Sequence, residues 1–137
     1  PRMDSEYSMG YQLTMELLKE GCSFTAIAGQ NDMMAFGAID ALQEARLHVP
    51  KDVSVIGCDN IFYSSIRRMS LTTIEHFVML KGRDACDIII RKIDTGDRFY
   101  MGIRPTSLYN VEYTPKVIVR RTTGYARPSK LQGKKNK

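Results

Sequence analysis

The side chains best placed to do chemistry in this 137-residue chain are Asn31, Asp32 and Asp59. Asn31 and Asp32 follow a short apolar run at positions 24–28, and Asp59 closes on a second at 53–57. A carboxylate at the end of a strand can accept hydrogen bonds from two hydroxyl groups, and charged acceptors make the stronger bonds. That chemistry suits a polyhydroxylated small molecule. The same residue types also build turns. Asp59 can cap the turn around Asn60, Asn31 can close an Asx turn, and Asp32 falls where a helix N-cap is expected. His76 follows a third, β-branched run and is either a ligand contact or a hydrogen-bonded hinge residue; His48 sits in a loop before Pro50 and reads as solvated. Nothing comparable assembles for catalysis. The chain has no GxSxG, P-loop, HExxH or Cys/His pair at catalytic spacing, so a binding protein without a cofactor is expected, not an enzyme. Cys22, Cys58 and Cys86 show neither a CxxC pair nor metal-ligand spacing. They read as buried thiols of a reducing cytoplasm, with no metal site.

The elements that must position these residues follow from periodicity. Residues 7–19 carry apolar side chains at 9, 13, 17 and 18, a helical spacing, with Gly21 as the terminator. Residues 24–28 read as a buried strand, 33–45 as an amphipathic helix and 53–57 as a second buried strand after the Pro50 loop. Strand, helix and strand within about 35 residues make a βαβ unit, so the two strands should pair in parallel. In such sheets ligands bind outside the carboxyl ends of the strands, where Asn31 and Asp59 fall. Residues 61–70 read as an irregular or short helical connection, 71–74 as a third strand and 78–93 as a helix closed by residues 95–97. A mixed loop and strand region spans 99–115, and 117–119 form a last short strand. The expected fold class is therefore α/β with a parallel sheet.

Charge is divided unevenly. All 15 acidic residues lie before position 116 against 12 Lys/Arg, while the remaining 8 Lys/Arg follow with no acid among them. The net charge of +5 belongs to the tail, so the body offers no basic face for nucleic acid. Residues 124–137 have almost nothing to bury and are expected to be disordered. No apolar run approaches the ~18 residues of a membrane helix.

The segments TAIAGQNDMMAFGAIDALQEA, VPKDVSVIGCDN, SLTTIEH, GRDACDIIIRKI and VIVRRTT occur in that order over residues 8–123. In order and spacing they resemble the effector-binding domain of the LacI/GalR family of bacterial transcription repressors. The resemblance implies a periplasmic-binding-protein-like fold of type I, a three-layer sandwich represented here mainly by its carboxyl-terminal lobe. Residues 1–123 would be the carboxyl-terminal part of the sensing domain and 124–137 a basic tail. The helix-turn-helix domain and first lobe would lie outside this chain. Residues 74–76 would form a crossover to the other lobe, on which the 78–93 helix packs, and the chain would return at 117–119. Asp59 would be the ligand-binding carboxylate of the GxD motif, with Asn31 and His76 as further polar contacts. The family's stacking aromatic, five residues before Gly10, is Ser5 here, and Tyr7 is the nearest substitute. Phe62, Tyr63, Ile66 and Met69, with the 33–45 helix, would face a second subunit of a homodimer; ordinary loop packing is the other reading. The implied partners are a sugar or sugar derivative as effector and operator DNA through the missing amino-terminal domain, in the cytoplasm and away from membranes. A periplasmic sugar-binding protein of a transporter is the alternative function.

Overall fold

Ser5 opens the first helix by accepting from the Ser8 amide through its hydroxyl, 3.2 Å away. The computed structural model describes residues 5–94 and 111–126. In chain order the elements are α1 (Glu6–Lys19), β1 (Ala26–Ala28), α2 (Asp32–Glu44), β2 (Ser54–Cys58), a 3₁₀ turn (Phe62–Ser65), β3 (Thr72–Glu75), α3 (Val78–Asp94) and β4 (Lys116–Ile118). They fall into two units. One takes the chain up to Glu75 and again from Lys116; the other is His76–Pro115.

In the first unit the sheet runs β1-β2-β3-β4. Ile27 pairs with Val55 and Gly57 with Thr73 in parallel, whereas β4 returns antiparallel with Val117 opposite Ile74. The core is Ala35, Phe36 and Leu42 of α2 against Val53, Val55 and Leu71, with Leu18, Phe24 and Ile27 packed around it. The βαβ reading therefore holds, and the strand limits move by no more than two residues. Gly21 ends α1 with φ 71°, its amide donating to the Leu18 carbonyl at 3.2 Å and that of Cys22 to Leu17 at 3.1 Å.

The periodicity located α1 but not the face it buries. Met9, Leu13 and Leu17, the apolar row that marks the helix, are exposed, while Ser8, Gly10 and Thr14 are buried. The reason is a close crossing with α2. A Cβ on Gly37 would lie 2.0 Å from the Tyr7 carbonyl oxygen, and one on Gly10 would lie 2.1 Å from that of Met34. Only backbone fits there, so small residues, not large apolar ones, make the contact.

Downstream of β4, Thr122 is stitched into the sheet: its hydroxyl donates to the Val55 carbonyl at 2.7 Å and accepts from the Thr72 amide at 2.8 Å. Gly124, where the sequence suggested that order ends, still donates through its amide to the Ser54 hydroxyl at 3.1 Å. Residues 127–137, most of the expected tail, lie outside the described residues, as does the 95–110 region. The cysteines correct an expectation. None of the three is in a disulfide, but Cys22 and Cys58 are only half-buried and Cys86 is exposed.

In the second unit, α3 buries none of its residues. Tyr113 donates its hydroxyl to the Asp84 carboxylate, which also accepts from Arg83 Nε at 3.3 Å. These contacts, the tyrosine first, hold Asp84 below the usual carboxylate range, and the bond to Asp84 pushes Tyr113 up. Among the described residues no helix is long and apolar enough to cross a membrane.

Candidate functional site

Three parallel strand ends meet the start of α2 at the carboxyl edge of the first unit's sheet. Asn31, not Asp32, is the N-cap of α2. Its extended backbone (φ −143°) lets Oδ1 accept from the Met34 amide at 2.9 Å. Asp32, expected at the cap, is instead the first helical residue, and its carboxylate turns inward and is fully buried. One oxygen accepts from the Ser64 hydroxyl at 2.5 Å and the Ile61 amide at 2.9 Å; the other accepts from the Thr73 hydroxyl at 2.5 Å. All three donors are neutral, and the positive end of α2 adds the favourable field that helix amino termini offer an acid. Asp32 thus ties α2, the 3₁₀ turn and β3 into one body.

Asp59 follows the last residue of β2. It is half-buried, and its amide donates to the Ile74 carbonyl at 3.0 Å, extending the β2–β3 ladder by one bond. Its backbone has φ 115° and that of Asn60 φ 52°, the left-handed region that favours glycine. Two consecutive non-glycine residues in that region carry a conformational cost that the surroundings must hold in place. Those surroundings are visible. The Asn60 amide donates to the Thr73 hydroxyl at 3.3 Å, its side-chain Nδ2 to Glu75 at 2.9 Å, and its Oδ1 accepts from Arg120 at 2.7 Å. Arg120 also donates to the Leu71 carbonyl at 2.8 Å.

The other sequence candidates are engaged as follows. Tyr7 donates its hydroxyl to Asp40 on α2, and its ring lines a groove of about 550 Å³ with Phe36, Ile39, Met69 and Arg121. Neither Asp59 nor Asn31 contributes to that groove. Ser5, at the position of the family's stacking aromatic, is the α1 cap. His76 belongs to the second unit. Its Nδ1 lies 3.4 Å from Lys81 Nζ. Phe62, Tyr63, Ile66 and Met69 are 77%, 57%, 39% and 47% exposed, an apolar run on and after the 3₁₀ turn.

Glu75, Arg120 and the inward role of Asp32 were missed by sequence reasoning. Arg120 had a faint signal, an arginine directly after the strand expected at 117–119. Nothing local marks it as a partner of Asn60.

The Asp40 contact has a consequence for pH. It pushes the Tyr7 hydroxyl up to about 12 from its ordinary 10, with burial and the Asp40 charge adding to the hydrogen bond. The fold therefore favours the protonated phenol. Its contribution is whole below pH 10 and is lost as pH rises toward 12. Tyr11, raised likewise by Glu44, acts in the same direction. Urea titrations across this window should show wild-type stability falling, with a shallower fall in Tyr7→Phe; equal slopes would remove Tyr7 as a contributor.

A mostly parallel α/β sheet with a capped helix and a conformationally constrained acid at its carboxyl edge is the architecture of the periplasmic-binding-protein-like class. The family model of the periplasmic binding protein-like domain matches residues 2–123, and the chain belongs to that family. The relatives and solved structures it resembles are named as transcriptional regulators, one of them of the LacI family. The HTH-type transcriptional repressor PurR of Haemophilus influenzae is 37% identical over 113 residues, 82% of this chain and 32% of the relative. A LacI-family transcriptional regulatory protein from Corynebacterium glutamicum is 34% identical in sequence and superposes with a TM-score of 0.70 over 85% of this chain and 42% of that one. A lac repressor dimer bound to operator and the anti-inducer ONPF is 33% identical, with a TM-score of 0.65 over 83% and 37%. The chain spans about a third of the length of this PurR relative.

Proposed function

We propose that this chain is the ligand-binding and dimerisation part of a LacI-type transcriptional regulator that senses a sugar-like small molecule. Asp59 carries the reading: a constrained, half-buried carboxylate at the carboxyl end of a central parallel strand. Asn31, whose Oδ1 is committed to the helix cap, keeps its amide hydrogens as donors toward ligand oxygens. The effector shifts an equilibrium between two arrangements of the sensing domain and so changes how a dimer presents its DNA-binding domains to operator DNA. The relatives in support are named as transcriptional regulators, and one is a dimer bound to operator and an anti-inducer. Calorimetric titration with lactose, D-galactose, D-glucose and D-ribose tests the effector class; absence of heat with all four counts against a sugar sensor.

The exposed run at Phe62, Tyr63, Ile66 and Met69 supplies the dimer contact in this reading. Large apolar and aromatic side chains in one connecting segment fit the core of an interface, from which charge is depleted. Ile66→Asp or Tyr63→Asp would bury an unpaired carboxylate, at a cost of about 3–5 kcal/mol. Sedimentation should then show monomer where the wild type is dimer, with thermal stability of the subunit unchanged. A wild-type sedimentation profile in both variants removes this segment from the interface.

A further inference from the structure

Asn60 follows the proposed effector carboxylate in the chain, and both ends of its side-chain amide are engaged by protein. Its amide nitrogen donates to Glu75, the last residue before the chain leaves the first unit. Its oxygen accepts from Arg120, four residues after the chain comes back at Lys116. The outgoing and returning connections are thus gripped by one side chain, which is itself in the left-handed conformation at φ 52°. The residue before it is Asp59, at φ 115°. An asparagine tolerates this backbone better than most residues, yet its amide would be free to turn were it not held from both ends.

We infer that Asn60 is a positioning residue of the effector site, which sets the backbone from which Asp59 projects and ties that setting to the spacing of Glu75 and Arg120. The inference rests on the reading of Asp59 as an effector contact. Bending of the two connections, the motion that a two-lobed sensor needs, moves Glu75 and Arg120 and with them the amide between. Asn60 then acts in both directions. Effector held by Asp59 biases the connections, and the connections bias the readiness of Asp59. The charges at the two ends, one carboxylate and one guanidinium, make each bond to the neutral amide charge-assisted, so the clamp is stiff for its size. The grip also satisfies the amide's oxygen and nitrogen together, so only a residue that both donates and accepts can take the place.

Asn60→Gly separates this role from a merely structural one. Glycine adopts the same backbone without cost but has no amide to be held. The strain that glycine relieves offsets part of the two lost charge-assisted hydrogen bonds, so melting temperature should fall only modestly. Affinity for whichever of lactose, D-galactose, D-glucose and D-ribose the wild type binds should fall about tenfold. Hydrogen exchange at the Asp59 amide should quicken in the same variant. Arg120→Lys, which keeps the charge but not the paired reach to Asn60 and Leu71, should fall between the two. Asp59→Ala is measured alongside. If Asp59→Ala binds as the wild type does, the reading of Asp59 fails. If Asp59→Ala loses binding and Asn60→Gly keeps it, only the positioning role fails. Should the wild type bind none of the four sugars, exchange decides the clamp. Exchange at the Asp59 amide that quickens more than at the amides of β2 upholds it, and exchange unchanged relative to β2 overturns it.

Discussion

Asp32→Ala should destabilise the protein by about 3–5 kcal/mol, the range for stripping a buried polar group of all its partners. The carboxylate is fully buried and accepts from Ile61, Ser64 and Thr73. Removing it strands three donors at once, and each costs about 1–3 kcal/mol when left unsatisfied, less whatever water recovers. Against a total of about 5–15 kcal/mol for a typical domain, the loss is large. Asp32→Asn should cost less, because one oxygen remains; its new amide, however, meets a donor where an acceptor was needed. Gly57 belongs to the same arrangement, since a Cβ there would sit 2.2 Å from Asp32 Oδ1. Gly57→Ala should accordingly reproduce part of the Asp32→Ala loss. Urea denaturation of the three variants checks the order, and a loss below about 1 kcal/mol in Asp32→Ala would show that its network is dispensable.

Asp59 should separate stability from binding. Its φ of 115° is a conformation that glycine adopts freely and aspartate does not. Backbone strain of this kind costs about 1–3 kcal/mol, part of which glycine would return as lost chain entropy. Asp59→Gly is therefore expected to raise stability by about 1 kcal/mol while abolishing effector affinity. Asp59→Ala keeps the strain and removes the carboxylate, so it should lose binding with no gain in melting temperature. The binding loss is set by two charge-assisted hydrogen bonds to ligand hydroxyls, each worth about 1.5–3 kcal/mol, or about a hundredfold or more in affinity together. Scanning calorimetry and titration of the sugars named above read the two effects independently. A fall in stability for Asp59→Gly would mean that the carboxylate serves the fold and not a ligand.

The contrast between these two aspartates shows where reading the chain stops. Both stand at strand ends, one at the start of a helix and one in a turn, and local pattern assigns the first a cap and the second a ligand. Asn31 takes the cap because its own backbone is extended while that of Asp32 is already helical, a difference of one residue that hydropathy does not resolve. The partners of Asp32 lie 29, 32 and 41 residues along the chain, and Arg120 meets Asn60 across 60. Such separations leave no periodicity to read.

By itself the sequence determined what depends on neighbours in the chain. The βαβ unit came from alternating runs and turn residues, the end of α1 from Gly21, and the placement of Asp59 from the end of a short apolar run. The irregular connection at 61–70 came from its lack of periodicity. These are local propensities, legible within windows of a few residues. Tertiary structure alone decided which face of α1 is buried, which of two adjacent residues turns inward, and that Glu75 and Arg120 converge on Asn60. Each of those follows from close approach and hydrogen-bond satisfaction between distant segments, and a buried polar group finds its partners only when the whole fold is assembled.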